Sequence, residues 1–144
     1  MKRLLISALA TVGALVVLLV AGVVVFVWVF DGGSDYEVKS SVASPDGGHT
    51  ATLYQGMGGG AAGWCSQVIA VNTPNAPFSL EHEKDSGDFQ VFRANCSADI
   101  QVRWLSNSLL HIEFFESEPG DGLSVYMQQS DDSGQVKLEY SFGA

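Results

Sequence analysis

The 27 residues from Leu4 to Phe30 hold no charged side chain. A helix rises ~1.5 Å per residue, so this run is long enough to cross the ~30 Å hydrocarbon core of a bilayer with some tilt. Lys2 and Arg3 precede it, and Asp31 and Asp35 follow it. Basic residues on the amino side predict a cytoplasmic amino terminus and an exported remainder. A cleaved secretory signal has an apolar core of roughly 7–15 residues and then a small-residue cleavage site. This core is far longer. Ala8-Leu9-Ala10 falls inside it, Ala21-Gly22 is followed by more apolar residues, and no cysteine stands just after the run for lipid attachment. The β-branched stretch Val23–Val27 favours strand in water, but in lipid the backbone must satisfy itself, and helix is expected. The reading is an uncleaved signal anchor over 1–30, a short linker over 31–35 and an exported domain over 36–144. The expected location is the bacterial cytoplasmic membrane, crossed once, with the carboxy-terminal domain outside.

The 109 residues from Tyr36 to Ala144 suit one domain around one core. From Asp31 onward there are five Lys/Arg against sixteen Asp/Glu, a net of −11. Such a surface repels nucleic acid and anionic headgroups. It serves solubility, or it favours cations and cationic partners. Two cysteines, Cys65 and Cys96, lie in the exported part. In an oxidising compartment they are expected to form a disulfide, and closing a loop of this length stabilises a domain by roughly 3.5 kcal/mol in the chain-entropy model.

The exported chain reads as short strands separated by turns. Ser44-Pro45-Asp46-Gly47 is a turn, followed by alternation from His49 to Gln55 and then a glycine-rich loop to Gly63. Trp64 to Val71 reads as a more buried strand, Phe78 to Glu83 as a short strand, and Phe89 to Ala94 as another. Ile100, Val102 and Trp104 alternate with polar residues, as do Leu110, Ile112 and Phe114. Leu123, Val125 and Met127 follow, then Val136, Leu138, Tyr140 and Phe142 after a tip at Asp132-Ser133-Gly134. Period-2 alternation with one apolar face predicts an all-β domain: an antiparallel meander folded as a sandwich or small open barrel.

The run S-P-D-G-G-H-T-A-T-L-Y from Ser44, the glycine-rich loop, and I-Q-V-R-W-L-S-N-S-L-L-H-I-E-F from Ile100 resemble small uncharacterised bacterial membrane-anchored envelope proteins. The S-P-D-G turn also resembles single blades of β-propellers, but a propeller needs several blades. The envelope resemblance implies a fold type and carries no site residues.

Chemistry signals are sparse. Gly58 to Gly63 matches G-x-G-x-x-G in form, but a strand follows where a dinucleotide site needs a helix. A transition-metal site would draw on His82, His111 and Glu113. A calcium site would draw on Glu116, Glu118 and Asp121, or on Asp131 and Asp132. The alternative for each is a solvated polar face. No serine lies in G-x-S-x-G. Phe92, Phe115 and Tyr126 are expected on the face opposite the main apolar stripe, as a second packing layer or a partner-binding patch. The expected function is a non-catalytic envelope interaction module without cofactors. It would touch the membrane through the amino-terminal helix and another envelope protein through this patch. A divalent-cation sensor or buffer and a small envelope hydrolase are the alternatives.

Overall fold

A computed structural model describes residues 2–30, 33–59, 63–117 and 122–143. It divides into two units, one containing the amino-terminal helix and the other the β domain. Helix α1 (Lys2–Phe30) is unbroken over 29 residues. Its side chains are described from Val12 to Val27, where every residue is apolar or small and exposed. Among the described residues no helix is long and apolar enough to cross a membrane.

The second unit holds β1 (Asp35–Ala43), β2 (Thr50–Gly58), β3 (Trp64–Asn72), α2 (Leu80–Ser86), β4 (Gln90–Asn95), β5 (Ala98–Ser106), β6 (Leu109–Glu116), β7 (Val125–Met127) and β8 (Lys137–Phe142). Five strands form one sheet in the order β1-β2-β3-β4-β7, and three form a second in the order β5-β6-β8. One buried cluster draws Leu53, Ile69, Val71, Val91, Phe92 and Ala94 from the first sheet and Ile100, Leu110, Ile112 and Phe114 from the second. The two inner faces therefore share a single core, as alternation on each strand requires in a sandwich. Polar ties cross between the sheets: the Trp104 indole donates to the Val42 carbonyl at 2.9 Å, and Gln67 Nε2 donates to the Ala98 carbonyl at 2.6 Å.

The structure departs from the expected pattern at three places. The stretch from Leu80 is a helix, not a strand. Its backbone starts at Ser79 (φ −133°) and stops at Gly87 in the left-handed region (φ +64°), where the glycine amide donates to the Glu83 carbonyl. Only glycine enters that conformation cheaply, so Ser86-Gly87 ends a helical turn. Glu81 and Glu83 sit in the first turn and Lys84 near the last, complementing the helix dipole. Second, β8 runs parallel to β6, with Leu110 opposite Leu138 and Ile112 opposite Tyr140. After β6 the chain crosses to the five-stranded sheet to lay down β7 and then returns, and such a crossover brings a strand back parallel. The other five ladders are antiparallel. Third, Met127 and Phe142 are exposed instead of facing the core, because β7 and β8 are edge strands.

The disulfide between Cys65 and Cys96 forms, with Cα atoms 5.5 Å apart. It ties the start of β3 to the tight turn between β4 and β5, where the chain passes from one sheet to the other.

Candidate functional site

The outer face of the five-stranded sheet is not a plain solvated surface. Tyr54, Val68 and Ala70 are buried there under Tyr36, Phe78, Leu80 and Phe89. A second apolar layer is thus made by α2 and the segments flanking it. Glu83 projects from α2 into this layer and is only 3% exposed.

Neither carboxylate oxygen of Glu83 has a hydrogen-bond partner among the described residues. Burial pushes its pKa up. His82 and the Phe89 amide pull the other way, while the charges of Asp88 and Asp132 add to the rise. Tyr54 is only 2% exposed. Burial and then the nearby Glu83 charge raise its hydroxyl to about 12, against an opposing effect from Arg93.

Glu83 lines a cavity of about 330 Å³ together with Tyr36, Tyr54, Trp64, Lys84 and Arg93. Its floor depends on Gly56. A Cβ there would lie 2.6 Å from Tyr36 Cε1 and 3.2 Å from Trp64 Cζ3, so both rings rest on a bare backbone. The two rings stand 6.1 Å apart at 56°. Two further cavities, of about 250 and 360 Å³, adjoin the first at Arg93, and Tyr126 lines both. Neither contains a buried ionisable group in its lining. Of these three cavities, the one under α2 has built-in chemistry: a buried carboxylate with no well-formed hydrogen bond among the described residues, three aromatic rings and two basic side chains.

The outer face of the three-stranded sheet carries a different arrangement. His111 is 6% exposed, Ser141 Oγ lies 3.0 Å from its Nε2, and Glu139 Oε1 lies 3.4 Å from its Nδ1. The second distance is within ion-pair reach but lacks hydrogen-bond geometry. The order serine, imidazole, carboxylate is that of a nucleophile, a base and an orienting acid. Acyl transfer also needs a substrate cavity and oxyanion donors, and the three cavities described above all open on the other sheet.

The sequence-derived candidates are scattered by the fold. Phe92 is fully buried between the sheets, its ring 5.3 Å from Phe114 and 6.0 Å from Tyr140. It therefore cannot belong to an exposed patch. The register of β4 shifts next to it, and that shift broke the alternation count. Phe115 alternates with the core residue Phe114 and so lies on the outer face of the three-stranded sheet. Tyr126 pairs with Arg93 on the outer face of the other and is 52% exposed. The three do not meet. Nor do the metal candidates: His82 is on α2 beside Asp88 at 3.4 Å, whereas His111 and Glu113 are on β6 of the other sheet. Among the described residues no group of three or more His, Cys, Asp or Glu is placed to hold a metal.

Of the calcium candidates, Glu118 and Asp121 lie outside the described residues. Glu116 Oε1 accepts the Gly122 amide at 3.1 Å, and Asp131 Oδ1 accepts the Val136 amide at 2.9 Å, so both shape turns. In the G-x-G-x-x-G match, residues 60–62 also lie outside the described residues. Gly58 ends β2 and Trp64 begins β3, its antiparallel neighbour.

Sequence reasoning missed Glu83, Tyr36 and Tyr54 as one site. The available signal was Gly87 after Ser86, which ends a helix and so turns Glu83 from a strand residue into one facing the sheet. No protein-family model matches the chain, and no curated protein or solved structure is similar to it.

Proposed function

We propose that the chain is a membrane-tethered, non-catalytic interaction module of the bacterial cell envelope. In this reading α1 is a signal anchor in the cytoplasmic membrane and the β-sandwich lies outside the cytoplasm. It binds through the outer face of its five-stranded sheet. The anchor is supported by an unbroken 29-residue helix whose described side chains are all apolar or small. Tethering raises the effective concentration at the membrane, so modest affinity suffices.

The observation that carries the binding face is Glu83, a carboxylate 3% exposed in the wall of an aromatic cavity, with no well-formed hydrogen bond to its oxygens among the described residues. An unpaired buried charge destabilises a domain. A scaffold gains nothing from keeping one, whereas a binding site gains a group that a ligand can satisfy. The test is crosslinked capture of the full-length protein from intact membranes. The controls are the Tyr36→Ser/Trp64→Ser variant and α1 fused to an unrelated domain. A partner captured by the wild type and lost in both controls supports the reading. Capture that persists in the double variant places binding elsewhere.

The Ser141–His111–Glu139 array favours a second reading, a small hydrolase. A serine-directed phosphonate that labels the wild type but not Ser141→Ala would support it. Equal labelling of the two proteins would remove it.

A further inference from the structure

Resting on the reading that this face binds, the chemistry of the cavity narrows what enters it. The cavity is graded in exposure. Glu83 and Tyr54 are buried, Trp64 is 41% exposed, and Lys84 and Arg93 are exposed. We infer that the cavity takes a small zwitterion, cationic end first. An ammonium group would seat against Glu83 and the rings of Tyr36, Tyr54 and Trp64, and an anionic group would lie toward Lys84 and Arg93.

Each part of the ligand answers a specific feature. The faces of tyrosine and tryptophan rings attract cations, and the attraction strengthens when water is excluded. The Glu83 carboxylate, whose oxygens make no well-formed hydrogen bond among the described residues, supplies the counter-charge. A metal ion is a poor fit, because among the described residues no group of three or more His, Cys, Asp or Glu is placed to hold one. A purely apolar ligand would leave the carboxylate unpaired. An anion alone would meet the negative charge of Glu83 at the buried end.

The two basic groups are held loosely. Lys84 Nζ is 3.3 Å from Glu81 Oε1 on an exposed surface. Arg93 spends one guanidinium nitrogen on Gln90 Oε1, at 2.6 Å. Arginine has five donors in a planar fork, so the rest can meet a carboxylate or phosphate. A volume of about 330 Å³ is at the small end of ligand sites and suits a headgroup-sized molecule. A phospholipid headgroup and a free ammonium carboxylate both present this chemistry.

The experiment is isothermal titration calorimetry on the full-length chain in maltoside detergent. The probes are phosphocholine, glycine betaine, tetramethylammonium and inorganic phosphate. At least one zwitterion is expected to bind ten-fold or more tightly than tetramethylammonium or phosphate. Preference for phosphocholine identifies a phosphate-bearing headgroup, and preference for betaine identifies an ammonium carboxylate. Glu83→Gln should weaken the zwitterion and tetramethylammonium together by ten-fold or more. Arg93→Ala should reduce the zwitterion to the affinity of tetramethylammonium and leave tetramethylammonium unchanged. Tyr36→Leu, whose folding is checked by its melting curve, removes a ring without touching charge and should weaken every cationic probe.

No saturable binding of any cationic probe overturns the inference, as does undiminished affinity in Glu83→Gln. If the probes fail while partner capture still depends on Tyr36 and Trp64, the face docks a protein and only the zwitterion is wrong. If both fail, the reading of this face falls as well.

Discussion

The two outer faces of the sandwich treat their buried ionisable groups in opposite ways. On the three-stranded sheet, His111 has Ser141 at 3.0 Å and Glu139 at 3.4 Å, both supplied by the parallel neighbour β8. On the five-stranded sheet, Glu83 comes from a separate helix, and its oxygens make no well-formed hydrogen bond among the described residues although the Phe89 amide lies near. The first arrangement bonds Nε2 within one ladder and leaves Nδ1 at ion-pair distance from a carboxylate. The second leaves a desolvated charge beside an open cavity. A polar group paired within its own sheet adds to stability, whereas one aimed into a cavity subtracts from stability until something binds. The contrast, more than the presence of any one residue type, is what supports the proposal that the face under α2 binds.

The contrast assumes that both faces cover one shared core, and Phe92 is the residue that tests this most severely. It is fully buried, with its ring stacked on Tyr140 and tilted against Phe114 across the sandwich. Truncating a buried phenylalanine removes its transfer energy and leaves a cavity, at about 3–5 kcal/mol. Phe92→Ala should lose that much in urea denaturation of the full chain. A loss below about 1 kcal/mol would mean that Phe92 is not between two sheets, and the division into two outer faces would have to be redrawn.

How much of this was legible in the sequence follows from the physics of each element. Strands β5 and β6 keep strict alternation of apolar and polar residues and were readable residue by residue, although on β6 the outward His111 is buried as well. The cysteine pair was readable from the count of two cysteines and the expected oxidising compartment. The position of Phe92 was not, because a register shift between β3 and β4 breaks the alternation at that point. Helix α2 was hidden because seven residues are too few for a 3.6-residue period to stand out. Its short length also explains why the site was missed: with α2 read as a strand, Glu83 is one more surface acid in an acidic chain. The parallel pairing of β8 depends on a crossover through the other sheet, which no local pattern encodes.

The two faces should respond to mutation with opposite signs. His111→Ala removes a group bonded to Ser141 and packed between neighbouring strands, and should destabilise by roughly 1–2 kcal/mol. Glu83→Gln keeps the size of the side chain but removes the unpaired charge, and should stabilise by about 1 kcal/mol at neutral pH. Paired denaturation curves decide the matter. Destabilisation by both variants would show that Glu83 has a stabilising role in the unliganded domain, and the contrast would fail.

The smallest effect is also the most specific. Burial raises the folded-state pKa of Glu83 above its ordinary value of 4.5. A group raised on folding binds its proton more tightly in the native state. Its contribution to stability is fully present below the unfolded pKa and is lost as pH rises through the folded one. Stability should therefore decline across a window that opens near pH 4.5 and extends upward to the folded pKa. His82, Asp88 and Asp132 act on the same carboxylate and set where the window closes. Asp46, held below the usual carboxylate range by Ser44 and the Gly48 amide, has the opposite sign and loses its contribution as pH falls. The two overlap in acid, so the difference between wild type and Glu83→Gln is the quantity to measure. That difference should be near zero at the acid end and should grow in favour of the variant as pH rises. A difference independent of pH would mean that Glu83 titrates normally, and the desolvated charge that separates the two faces would not exist.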